Sequence, residues 1–336
     1  MPQTTPFLTK DPRFLASTTL LSTSTVNSVE KGVTILIGLL SSMEAAMPPP
    51  STPNDNDNDN DSDVYLASRI ELVPAYFELG RGLLRCVVVR SYDDDGTSTS
   101  TSTSTAKPLP SAPSDTSPRT NDEDLAISLE YLTTAFAILS TAQVQAQAQA
   151  QAHAHNPQYT EYISNAIPRT LSTIADVHME SGSYVNAADA YIQCVPLREA
   201  GVEIASNDNI DGDSSLELLR STRLLADSLV GVVDALIECV ASSDSDSAEA
   251  LETSAGVMLL KKGEDWLDYA FGYYEQAKEK LQDAVYTVGL LMEKKGSSDS
   301  TELQREKEDT AHLATIMMYC GQRLEEMKEE RDEKTK

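Results

Sequence analysis

The chain has 336 residues, enough for one large or two ordinary domains, and its 53 acidic side chains outnumber 26 Lys and Arg to give a formal net charge of −27. A field of that sign repels nucleic acid and attracts basic partners, although acidity alone also serves solubility. Cys86, Cys194, Cys239 and Cys320 show no Cys-x-x-Cys spacing, and His153, His155, His178 and His312 complete no zinc set, so ordinary buried thiols are expected, with no metal and no cofactor. The stretch Val33–Leu40 is far shorter than the roughly 20 apolar residues that span a bilayer. The Ser- and Thr-rich start lacks a basic segment followed by an apolar run, so no secretory signal and no membrane partner are expected.

In chain order, residues 1–10 read as a disordered N-terminus. A faint helix pair follows over about Asp11–Met47, with Gly32 and Leu36 on its packing face. A low-complexity insertion at about 48–63 includes "NDNDNDNDSD". Such runs bury too little apolar surface to offset ordering entropy. "YFELGRGL" then places Tyr76, Leu79, Gly80 and Leu83 at the spacing of a tetratricopeptide first helix, whose W-x2-L-G-x2-Y pattern belongs to a repeat of about 34 residues. The β-branched "CVVVR" reads as the end of that helix. A polar insertion at about 91–122 separates it from "SLEYLTTAFAIL", where Ser128, Leu132 and Ala135 resume the pattern of the second helix.

The Gln-Ala run inside a third insertion, about 142–158, is able to continue a helix because both residues are good helix formers. In the next pair, Leu171, Ile174, Ala175 and His178 take first-helix positions, and Ala187, Tyr191 and Cys194 take second-helix positions around a turn at Ser181–Tyr184. Small residues recur there because two helices approach closely. The fourth pair combines Leu216–Val240 with "YEQAKEKLQDAV", bearing Ala277, Leu281 and Ala284, across an insertion at about 241–263. The final helix, about Thr301–Asp332, carries Leu313, Ile316, Met317, Cys320, Leu324 and Met327 on one stripe, as a solvating cap would. Residues 333–336 read as a tail. The fold class predicted for residues 11–332 is all-α: a tetratricopeptide-repeat solenoid of about four helix pairs, the second interrupted, closed by a capping helix.

The order of these pieces resembles the SHNi-TPR histone chaperones, the nuclear autoantigenic sperm protein family and its fungal relatives. The resemblance is densest in "HMESGSYVNAADAYIQCVPLRE". It extends to "AYFELGRGLL", "DLAISLEYLTTAFAIL", "YYEQAKEKLQDAVYTVG" and "HLATIMMYCGQRLEEMKEE". The Ser/Thr-rich second-repeat insertion and the Gln-Ala run depart from the family pattern, and no basic localisation cluster is evident. The resemblance implies a nuclear protein, compatible with shuttling to the cytoplasm. It would bind histone H3, alone or with H4, and supply it for nucleosome assembly alongside other chromatin-assembly factors. A homodimer is left open.

The residues add a physical expectation. Asp176 and Glu180 lie one turn apart after the packing residue Ala175, and Asp234 and Glu238 repeat that placement after Val233. Two matched acidic pairs on first helices would form a concave histone-binding wall, flanked in the second repeat by Glu71 and Glu78; any one of these carboxylates is more often a solvated surface group. Arg81 and Arg85 occupy the corresponding second-repeat positions. No G-x-S-x-G, phosphate loop or H-E-x-x-H motif points to an enzyme. The competing reading is a generic repeat scaffold for another basic partner or peptide.

Overall fold

The computed structural model describes residues 10–23, 25–47, 68–94, 120–151, 157–207, 214–242, 266–295 and 301–334. Among them every regular element is helical and no strand occurs, so the chain is all-α. The readings that residues 1–9 are disordered and that 48–63 and most of 91–122 and 241–263 are insertions fall outside the described residues. Two compact units divide the chain after Thr173, within one long helix.

The first unit contains α1 (Pro12–Leu21), α2 (Val26–Ala46), α3 (Val73–Asp94), α4 (Asn121–Gln151) and the first part of α5 (Pro157–Glu180). Asp11 caps α1 by accepting from the Arg13 backbone N–H at 2.7 Å, and Pro12 fits the first turn, where its missing N–H costs nothing. Leu21, 2% exposed, seats its side chain where a Cβ on Gly32 or Gly82 would stand, so glycine on α2 and α3 lets three helices converge. α3 packs against both α2 and α4. A Cβ on Gly80 would lie 2.5 Å from Leu132 Cγ, and Ser128 donates to the Gly80 carbonyl at 2.7 Å. α3 and α4 therefore meet at Gly80, Ser128 and Leu132.

α4 begins with a reciprocal cap. The Thr120 N–H donates to Glu123, and the Glu123 N–H donates to the Thr120 hydroxyl. This helix extends to Gln151, so most of the stretch assigned by composition to an insertion at 142–158 is helical, as good helix formers allow. Asn121–Ala148 is less apolar than Val33–Leu40 but much longer, and by length and composition alone it would reach across a bilayer. Its apolar stripe Leu125, Leu132, Ala135, Leu139 and Ala142 is instead buried, and Asp124 in its first turn pairs with Arg90 at 2.6 Å.

The second unit holds the rest of α5 with α6 (Tyr184–Asn207), α7 (Ser214–Ser242), α8 (Trp266–Lys295) and α9 (Thr301–Lys334). Gly182, at φ 70°, turns the chain between α5 and α6, a left-handed position where a side chain would be strained. α7 packs against α6, α8 and α9. It is buried on most of its surface, including Leu219, Leu225, Leu229, Val233 and Leu236. The packing residues read from spacing are all buried: Tyr76, Leu79, Gly80, Ala175, Ala187, Tyr191, Ala277 and Ala284. On α9, Leu313, Cys320 and Leu324 are buried, whereas Ile316, Met317 and Met327 are half-buried. Arg220 and Arg223 of α7 fasten that helix by pairing with Glu302, Glu306 and Asp309.

Candidate functional site

α7 leaves one polar line open along its length: Arg223, Asp227, Gly231, Asp234 and Glu238. Spacings of three and four put these residues on one face. Tyr191 of α6 lies across the middle of that line. Its ring stands where a Gly231 Cβ would be, 2.6 Å from ring carbon Cε1, so only glycine admits it. The Tyr191 hydroxyl donates to Asp176 Oδ1 of α5 at 2.5 Å. Three helices thus converge on one phenol.

Asp176, Asp227 and Asp234 all influence the ionisation of Tyr191, which burial pushes well above its ordinary value and the Asp176 charge raises further. Asp176 and Asp227 are exposed to solvent, yet burial is the first cause raising both carboxyls. These facts agree where a surface is recessed: water reaches the carboxylate from one side while protein displaces solvent on the others. Asp176 is pushed up to about 6, because desolvation outweighs the hydrogen bond from Tyr191 and the charges of Asp227 and Glu180 add to it. Asp227 is raised by burial against the opposing pull of Arg223 and Arg198, and Asp234 by burial and then by Glu238. Arg198 Nε is buried without a hydrogen-bond partner.

Of the six acidic residues singled out from sequence, Asp176, Glu180, Asp234 and Glu238 therefore belong to one neighbourhood in the second unit. Asp227, which the sequence reading missed, belongs there too. Its signal was present, since Asp227 precedes Asp234 by two turns on the same face and Gly231 stands between them. Among the described residues no group of three or more His, Cys, Asp or Glu side chains could hold a metal ion. The aspartates surround Tyr191 and do not meet at one point.

Glu71 and Glu78 lie in the first unit in a different setting. Glu78, 8% exposed, accepts from Arg81 at 2.5 Å and pairs with Arg169 at 3.5 Å. Arg169 also stacks 4.4 Å above the Phe77 ring centroid. Half-buried Glu71 keeps Oε2 without a hydrogen-bond partner. Arg85 donates to the Ser22 and Thr23 carbonyls at the end of α1. Arg81 and Arg85 are thus occupied by their own unit, which leaves them poorly suited to clamping an acidic tail.

Comparison with family models, with curated proteins and with solved structures returned no match.

Proposed function

We propose that this chain is a histone chaperone of the SHNi-TPR type: a tetratricopeptide solenoid that binds histone H3, alone or with H4, on the recessed acidic face around Tyr191, and delivers it for nucleosome assembly in the nucleus. The observation that carries the reading is the set Asp176, Asp227 and Asp234. All three are raised in pKa by burial, and the nearby Arg223 is already paired with α9. A carboxylate held by a helix and robbed of part of its hydration gains more from an incoming guanidinium or ammonium than a freely solvated one. Fixed carboxylates on three or four turns of helix suit a basic helix or extended segment. Acidic residues elsewhere in the chain add long-range attraction that is screened beyond roughly 8 Å at physiological salt.

The reading is tested by titrating purified H3–H4 and the other pair of core histones across a salt series. The Asp176→Lys, Glu180→Lys protein should lose binding to H3–H4 at physiological salt while its circular dichroism stays that of the parent. Retained affinity would eliminate the recessed face as the binding site. Equal affinity for both histone pairs in the parent would favour a general scaffold for basic partners.

A further inference from the structure

The outer face of α8 exposes large apolar side chains. From Ala284 to Met292 this helix is apolar nearly all round. Ala284, Val288 and Leu291 are buried against Leu219 of α7 and Leu303 of α9, and Met292 packs on the same cluster. On the other side Val285, Tyr286 and Leu290 are 52%, 69% and 38% exposed. A helix apolar on every face normally has neighbours on every face. Gly289 lies beside Tyr286 and Leu290, and a Cβ there would meet nothing within 4 Å, so the patch has a notch next to its most prominent ring. The second unit already fills two such notches with tyrosines from neighbouring helices, Tyr191 on Gly231 and Tyr274 on Gly321.

Charge selects the occupant. Glu279, Asp283 and Glu293 are exposed and lie seven and three residues before Tyr286 and seven after it, on the same side of the helix. Lys280 pairs with Glu279 at 3.4 Å, and Lys278 with Glu275 at 3.5 Å. A second copy docked antiparallel about Tyr286 would set Glu279 against Glu293 at both ends, which is repulsive. We infer that this face docks a basic amphipathic helix of a partner protein, with an aliphatic or aromatic stripe on Val285, Tyr286, Gly289 and Leu290 and Arg or Lys beside it facing Glu279, Asp283 and Glu293. The surface lies on α8, whereas the face around Tyr191 is built from α5, α6 and α7.

The probes are two designed peptides of roughly 18 residues, long enough to hold helix. One has leucines in a stripe flanked by arginines; the other has the same composition scrambled. Fluorescence anisotropy with the full chain at physiological salt should show the striped peptide preferred by about tenfold, the scale of losing one good apolar anchor. Tyr286→Ser, Leu290→Ser should abolish that preference, whereas Asp176→Lys, Glu180→Lys should leave it intact. Asp283→Lys, Glu293→Lys should transfer the preference to a striped peptide with glutamates in place of arginines. A preference that survives the double serine change overturns the inference. So does a parent that sediments as a dimer and becomes monomeric on that change, because a second copy would then be the occupant.

Discussion

The two units handle buried charge in opposite ways. In the first, the buried acids are met from within, Glu78 by Arg81 and Arg169 and Asp124 by Arg90, the exposed Glu44 takes the Tyr76 hydroxyl at 2.5 Å, and half-buried Glu71 keeps one oxygen without a hydrogen bond. In the second, Arg220 and Arg223 face α9, and Asp176, Asp227 and Asp234 are left with raised carboxyls. Both units place a buried tyrosine hydroxyl on a carboxylate, so the motif itself does not distinguish them. What differs is where the guanidinium groups go. Internal pairing turns an acid into a structural joint, whereas an unmatched recessed acid weakens the free fold and stores attraction for a cation from outside.

The largest effects should come from the same steric insult applied to each unit. Gly231→Val would drive a side chain into the Tyr191 ring, and Gly80→Val would drive one into Leu132. Each should cost about 1–3 kcal/mol or more in thermal or denaturant unfolding. Only Gly231→Val should also reduce H3–H4 affinity; equal losses of binding would erase the functional contrast. Next, Glu78→Gln should destabilise by about 1–3 kcal/mol, since it strips a buried acceptor from two arginines. Asp176→Asn should do the reverse at neutral pH. The amide oxygen still accepts from Tyr191, the desolvated charge is gone, and the melting temperature should rise while affinity for the histone falls. A fall in melting temperature for Asp176→Asn would show that the second unit compensates its acids as the first does.

Acid sharpens the same point. The Asp176 carboxyl lies at about 6 in the folded chain against 3.8 for the free group, so between those values the folded state holds more protons than the unfolded one. Its contribution to stability is present below 3.8 and is lost as pH rises through about 6. Lowering the pH from 7 towards 5 should therefore favour the fold through this residue and weaken a basic ligand. Asp176→Asn should flatten both trends in a melting and titration series. The smallest effect should follow removal of residues 95–115, which spares α3 because that helix continues to Asp94. Binding should weaken modestly, with a shallower salt dependence and an unchanged melting temperature.

The helical class and the packing positions were legible because close helix crossings impose small residues at fixed spacing. Gly80 and Ala187 had no other good reason to recur where they do. Helix boundaries were less visible where composition misled. Glutamine and alanine look like low complexity yet propagate α4, and Thr120 with Glu123 announces its start two residues before the edge assigned at 122. The acidic pairs were read locally, by position within each pair of helices. Local reading could not tell that Arg81 folds back on Glu78, or that Tyr191 would bring Asp227 into the same neighbourhood as Asp176. Those are relations among helices distant in sequence.

The contact of Gly80 with Leu132 and Ser128 also bears on how this chain can change over generations. Because α3 and α4 are matched through their own surfaces, that contact does not depend on the number of residues in the segment between 94 and 120. The entropy of closure grows slowly, by about 0.6 kcal/mol for each doubling of length. Repeat slippage in a tract such as "TSTSTSTST" can therefore lengthen or shorten that segment with little thermodynamic penalty. Selection on its charge is thus largely decoupled from selection on the helices it joins, and related chains would be expected to differ most there while holding glycine at position 80.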